Sequence, residues 1–141
     1  SIQIIGTPSN DLAQTLLAVG KKLDYSTFAV ITSDIGLDEC STVGKSTVYS
    51  ISNGDERTFT IDPESYGIKH TLNDISVSET ALATDNAAAF KSILANNKSR
   101  HPLAELIALN AAVIMHIIDH SIAIESGIEK ALDSLLQLSF D

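Results

Sequence analysis

The sequence predicts an α/β fold in which a βαβ unit and a β-hairpin pack with C-terminal helices. Three observations carry this prediction. Two apolar runs, "IQIIG" at residues 2–6 and "STFAVIT" at 26–32, flank a stretch with helical periodicity, which is the pattern of a βαβ unit. Two segments of period two then face each other across Asn53-Gly54, a dipeptide suited to a turn that needs positive φ at both central positions. From Thr84 the pattern is helical to the end of the chain.

Each element has a local reason. After Gly6, "TPSND" offers Ser9 or Asn10 as N-cap, because a short side-chain oxygen accepts from a free first-turn amide. In "DLAQTLLAVGKKL", Leu12, Leu16, Val19 and Leu23 form an apolar face, and Lys21 and Lys22 suit the negative helix end. "STFAVIT" is β-branched and continuously apolar in its middle, as a strand covered on both faces should be. The hairpin strands are expected at 46–52 and 56–62, followed by one helical turn, "DPESYGI", capped by Asp62 with Pro63 at its first position. "KHTLNDISVSETAL" lacks a sustained period and reads as a loop. Helices are expected at about 85–95, 102–120 and 121–138, with Thr84 or Asp85 and Ser121 as caps.

Composition narrows the function. The 141 residues suit one domain, 1–141, and 44% hydrophobic with 19% charged residues is a globular composition. A net charge of -9, with nine scattered Lys and Arg, speaks against a nucleic-acid partner. A single cysteine, Cys40, excludes an intramolecular disulfide and fits a reducing compartment, so a cytoplasmic protein is expected. The most apolar stretch, 103–118, is interrupted by Glu105, Asn110 and His116. It falls short of the roughly 18 apolar residues of a membrane span, so no membrane partner is expected. No basic region of a signal peptide opens the chain. Met115 is the sole methionine and the first residues are already strand-like. The expectation is a chain cut from something longer.

The stretch that points to chemistry is "DIGLDECST", residues 34–42, directly after the second apolar run. In open α/β sheets ligands bind beyond the carboxyl ends of the strands. Asp38 and Glu39 are adjacent carboxylates there, and both stay ionised only if a cation or donors compensate their repulsion. Magnesium takes one or two carboxylates and fills its other positions with water and phosphates. Asp38 and Glu39 are therefore candidate Mg2+ ligands. Ser33, Ser41 and Thr42 offer hydroxyls nearby, and Ser33 and Ser41 are weaker candidates for contacting substrate. A solvated acidic loop in which Asp34 caps a turn, and serine turns that merely shape it, are the plainer alternatives.

The ordered series "IIGTPSNDLAQTLL", "FAVIT…GLDECS", "NGDERTFTIDPESYGI" and "DNAAAFKSIL…ALNAA" resembles the C-terminal part of the anthranilate phosphoribosyltransferases. Ile4 to Ser9 stand where that family has a strand close to "LIGVYS". Gly36-Leu37-Asp38-Glu39 and Ser41 match its "DGLDE-S" block, and residues 61–68 match "hDPEDFGL". Asp85-Asn86-Ala87 and residues 108–112 match its "ENA" and "LLNAA" helix signatures. The motifs are short, and together they span essentially all 141 residues. The resemblance implies a larger mixed α/β phosphoribosyltransferase domain. It implies Asp38 and Glu39 as Mg2+ ligands facing phosphoribosyl pyrophosphate (PRPP). It also implies a reaction of tryptophan biosynthesis that joins ribose C1 to the anthranilate amine and releases pyrophosphate.

The sequence departs from that family in two places. Thr32-Ser33 replaces its His-Gly, and "DGLDE" has become "DIGLDE". The family's "GTGGD", "NxST" and "KHGN" segments and its anthranilate-binding arginine precede the part seen here. No glycine-rich phosphate cradle replaces them, so the chain alone is expected to be close to inactive. Its partners would be a missing N-terminal half or a second copy. A non-catalytic module of the same fold and a pyrimidine nucleoside phosphorylase-like domain are the competing readings.

Other reactive side chains read as structural. His116 and His120 are spaced i, i+4 but lack a third ligand at useful spacing, so packing or helix-end roles are expected. His70 and His101 are expected in solvent. Cys40 beside Glu39 should have its thiolate suppressed. Leu132, Leu135, Leu136 and Phe140 are expected in a core or an interface.

Overall fold

A computed structural model of the chain describes residues 1–75, 87–88, 90–92 and 100–137. Its elements are β1 (Ile2–Gly6), α1 (Asn10–Gly20), β2 (Thr27–Ser33), β3 (Ser46–Ser52), β4 (Asp55–Ile61), a 3-10 turn (Pro63–Tyr66), α2 (Leu72–Ile75), α3 (Pro102–Ile118) and α4 (Ile124–Gln137). Ala87, Ala88 and residues 90–92 are also helical. The four strands form one mixed sheet in sequence order. β1 runs parallel to β2, with Ile2 opposite Thr27 and Gly6 opposite Ile31. β2–β3 and β3–β4 are antiparallel. The predicted βαβ unit, the hairpin and the last two C-terminal helices are present, whereas most of the helix expected at about 85–95 lies outside the described residues.

Two apolar layers cover the sheet. Successive strand residues point to opposite faces, so Phe28 and Val30 pack with Ala13 and Leu17 of α1. Ala29 and Ile31 join Val48, Ile61 and the buried faces of α3 and α4 on the other side. All seven residues of β2 are buried, as its apolar run predicts. At the hairpin, Asn53 has φ 49° and Gly54 φ 90°, the pair of positive values that Asn-Gly supplies. Asp62 caps the 3-10 turn through the Glu64 amide at 3.2 Å, with Pro63 next and Gly67 closing it at φ 72°.

The structure corrects several expectations. Ser9 does cap α1, accepting from Leu12 N at 3.3 Å. The buried stripe of α1, however, is Ala13, Leu17 and Gly20, while Leu12, Val19 and Leu23 are 44%, 49% and 47% exposed. Small residues win that face because the helix lies close to the sheet. A Cβ on Gly20 would fall 2.2 Å from the Phe28 ring. Residues 72–75, expected in a loop, form a helical turn anchored by Asp74, which accepts from the Thr71 amide and hydroxyl at 2.7 Å each. α4 begins at Ile124, and Ser121 instead donates to Asp119 in the preceding turn. His70 is not solvated: its Nε2 lies 2.6 Å from Oε2 of Glu105, a buried carboxylate that also meets Arg100 at 3.4 Å. His101 is exposed, as expected, and also caps α3 through Nδ1, which accepts from Leu103 N at 3.2 Å. Leu136 is 54% exposed, whereas Leu132 and Leu135 are buried.

His116 and His120 pack edge to face with centroids 5.0 Å apart, and His116 Nδ1 sits 2.7 Å from the Ile122 carbonyl. Burial, aided by Arg57 and His116, holds His120 below its ordinary pKa. The expected caps Thr84 and Asp85, the Asp85-Asn86 signature and Phe140 lie outside the described residues. Among the described residues no helix is long and apolar enough to cross a membrane.

α3 and α4 approach closely at Gly127, where a Cβ would stand 2.8 Å from Ala112 Cβ. Gly127→Ala is expected to destabilise the fold by about 1–3 kcal/mol through overpacking, outweighing the ~1 kcal/mol gain in helix propensity. Urea unfolding measures it, and Ala112→Gly in the same chain should recover part of the loss. An unchanged or higher midpoint for Gly127→Ala would show that the two helices spread freely.

Candidate metal-binding loop

The loop between β2 and β3 carries the acidic pair, and its path follows from the residues at its base. Ser33 ends β2, and its hydroxyl accepts from Leu37 N at 2.8 Å and donates to Leu37 O at 3.2 Å. Ser33 O accepts from Gly36 N at 3.1 Å, while Gly36 turns the chain at φ 79°. Asp34 N donates to Lys45 O at 2.8 Å, which ties the two ends of the loop together. The turn is thus shaped by Ser33, not by an Asp34 side-chain cap. Where the resembling family has glycine, the hydroxyl of Ser33 makes these bonds. Thr32, in place of the family's histidine, is buried on the strand at 2% exposure.

From this turn the chain crosses the end of β1. A Cβ built on Gly6 would lie 1.5 Å from the Asp38 carbonyl oxygen. No other residue fits there without moving the loop. Asp38 and Glu39 are both exposed at this rim, beyond the carboxyl ends of the parallel pair β1 and β2. Cys40 then turns inward and is fully buried. Its amide donates to Asn110 Oδ1 at 2.9 Å, and its carbonyl accepts from Asn110 Nδ2 at 2.8 Å. Ser41 is also fully buried. Its hydroxyl donates to Val43 O at 2.6 Å and accepts from Val43 N at 2.8 Å, and its amide donates to Ser46 Oγ at 2.9 Å.

The electrostatics match this placement. Partial burial raises the Glu39 pKa above its ordinary 4.5, and the neighbouring Asp38 charge raises it further. The Cys40 thiol is pushed up to about 12, first by burial and then by Glu39, with a Ser46 hydrogen bond partly offsetting both. That thiol is no nucleophile at neutral pH.

The donor set suits a hard divalent cation in one specific sense. Two adjacent carboxylates, one of them destabilised by the other's charge, supply hard oxygens and would gain from a cation. No cluster of three or more His, Cys, Asp or Glu able to hold a metal occurs among the described residues. The pair therefore fits magnesium, whose remaining positions are taken by water and phosphate oxygens, and not an all-protein calcium cage. A separate cleft of about 350 Å³ opens beside the far end of the loop, lined in part by Thr42, Lys45, Asp62, Glu64, Lys69 and His70. Neither Asp38 nor Glu39 lines it. The Asn110 contact has no local sequence signal, since it joins residues 70 apart.

Residues 1–137 match the glycosyl transferase family, a/b domain. The chain belongs to that family. Among curated members, an anthranilate phosphoribosyltransferase of Geobacillus stearothermophilus is 28% identical over 135 residues, covering 95% of this chain and 39% of that enzyme. One from Vesicomyosocius okutanii is 29% identical over 137 residues, covering 94% and 38% respectively. This glycosyl transferase a/b chain thus spans less than two-fifths of the length of those relatives. Among solved structures, the anthranilate phosphoribosyltransferase of Saccharomyces cerevisiae in complex with PRPP and Mg superposes with a TM-score of 0.81 at 26% identity. That match covers 96% of this chain and 38% of the yeast chain. The family resemblance and the α/β fold inferred from the sequence are both found in these comparisons.

Because its folded pKa is raised, Glu39 favours the fold most below pH 4.5, and that contribution is lost as pH rises through the raised value. Carbon-detected NMR titration of the Glu39 carboxyl should give a midpoint above 4.5. Asp38→Asn should lower that midpoint only part of the way, since burial is the larger cause. A full return to the ordinary value would assign the shift to Asp38 alone.

Proposed function

We propose that this chain is the C-terminal part of an anthranilate phosphoribosyltransferase catalytic domain, with residues 1–141 folding as one unit. The reaction transfers phosphoribosyl from PRPP to anthranilate in tryptophan biosynthesis. The C1–O bond to pyrophosphate breaks, the C1–N bond to the anthranilate amine forms, and the amine gives up a proton. The observation that carries the reading is the exposed Asp38-Glu39 pair, held at the carboxyl ends of a parallel strand pair in a fold shared with an enzyme solved with PRPP and Mg. No nucleic acid or membrane has a part in this reading, and the compartment is the cytoplasm.

In this reading Asp38 and Glu39 would hold Mg2+, which when bound would supply positive charge against that of the pyrophosphate. The chain's own task is positioning. Gly6 lets the loop lie on the end of β1, and Ser33 and Ser41 fold it. Each serine hydroxyl already gives its one proton to a carbonyl, at Leu37 and Val43. Neither can donate to a phosphate oxygen without breaking a loop bond, so Asp38 and Glu39 rank ahead of them as ligand contacts. Catalysis of this transfer rests on clamping pyrophosphate and stabilising separated charge. The part of the relatives that this chain does not span would supply the cradle, either from an N-terminal half or from a further chain.

Anthranilate fluorescence, followed with the chain, PRPP and Mg2+, should show no turnover by the chain alone. Calorimetry should still detect Mg2+-dependent binding of PRPP, and Asp38→Asn should weaken it by about 10-fold or more. Turnover abolished by Asp38→Asn would mean the site is complete without a second part. Absence of Mg2+-dependent PRPP binding and of turnover even after adding a separately made N-terminal half of a relative would overturn the assignment and favour a non-catalytic module.

A further inference from the structure

Glu39 sits between two peptide planes that are each fixed from outside the loop. The plane before it carries the Asp38 carbonyl, which lies against Gly6 so closely that a Cβ there would fall 1.5 Å away. The plane after it carries the Cys40 amide, which donates to Asn110 Oδ1 at 2.9 Å. The same Asn110 side chain donates from Nδ2 to the Cys40 carbonyl at 2.8 Å and to Leu106 O of its own helix at 3.0 Å. One amide thus meets both the N–H and the C=O of a single residue, as a partner strand would. A carboxylate could accept but not donate, and an apolar side chain could do neither. Fixing both planes sets φ and ψ of Glu39 and with them the direction in which its side chain leaves the loop.

Resting on the metal-site reading above, we infer that Asn110 is a positioning residue for the Asp38-Glu39 pair, holding it ready for a divalent cation. Without it, a binding ion must itself order a loop whose two carboxylates repel, and ordering backbone during binding lowers affinity. The amide bonds to the Cys40 backbone and to Leu106 O. It acts through the Cys40 peptide, and it links α3 to the rim where the carboxylates stand.

The test uses Mn2+ alone as the probe, titrated into the full chain and read by electron paramagnetic resonance of the free ion. The variants are Asn110→Ala, Asp38→Asn and Val113→Ala, the last removing fully buried α3 volume from the core cluster that holds Cys40 while leaving the Asn110 hydrogen bonds in place. Each is also unfolded thermally, to match losses of stability. Asn110→Ala should bind Mn2+ at least fivefold more weakly than the wild type, while Val113→Ala stays within twofold despite a lower Tm. If Asn110→Ala does not fold, the near-isosteric Asn110→Leu carries the same comparison, because it fills the space without offering a hydrogen bond. Wild-type affinity in the Asn110 variant, alongside loss in Asp38→Asn, overturns the inference and leaves the metal reading intact. Equal weakening in Val113→Ala also overturns it, by showing general loosening. A wild-type chain that binds no Mn2+ overturns the metal reading itself.

Discussion

Every residue of β2 is buried, and that burial dictates where the other elements go. A strand with Phe28 and Val30 on one face and Ala29 and Ile31 on the other needs an apolar layer against each. Its backbone must also be paired on both edges, since a buried unpaired amide or carbonyl costs as much as a lost hydrogen bond. α1 covers one face and returns the chain so that β1 and β2 run parallel. β3 takes the opposite edge, and α3 with α4 covers the remaining face. The acidic loop then has only the rim to occupy.

At that rim charge and packing oppose each other. Glu39 stays exposed yet partly desolvated next to Asp38, which makes its ionised form costly. The next residue, Cys40, is drawn fully inside. A chain that passes from exposed carboxylates to a buried thiol in one step needs its backbone polar groups met locally, and Asn110 meets both of them at Cys40. Each such hydrogen bond contributes a net 0.5–1.5 kcal/mol as a rough guide, and leaving the buried group unmet costs about 1–3 kcal/mol. The loop is therefore defined from outside itself as much as from within.

Features with local signals were legible in the sequence. The Asn53-Gly54 turn, the Asp62-Pro63 cap and the alternation of β3 each depend on neighbours a few residues away. The face of α1 was misread because leucine count is a poor guide where a helix lies close to a sheet. Gly20 against Phe28 shows that closeness, and small residues mark it. The site divides the same way. Asp38 and Glu39 stood out because they follow an apolar strand, whereas Asn110 looked like an interruption in a hydrophobic helix. The His70–Glu105 pair was invisible for the same reason, since its partners are 35 residues apart.

The base of the acidic loop is closed twice, by the Ser33–Ser46 strand pairing and by the Asp34–Lys45 backbone bond. Length changes inside the closed segment therefore have nowhere to propagate. Adding a residue to an already closed loop raises its closure entropy only slightly, while one extra residue in β3 would swap every inward side chain for an outward one. Ile35 of "DIGLDE" is half-buried and lies near Gly44, within the closure. The sheet can stay constant over evolutionary time while the loop is lengthened, shortened or recharged. A change in the side chains of this rim therefore requires no redesign of the scaffold beneath it.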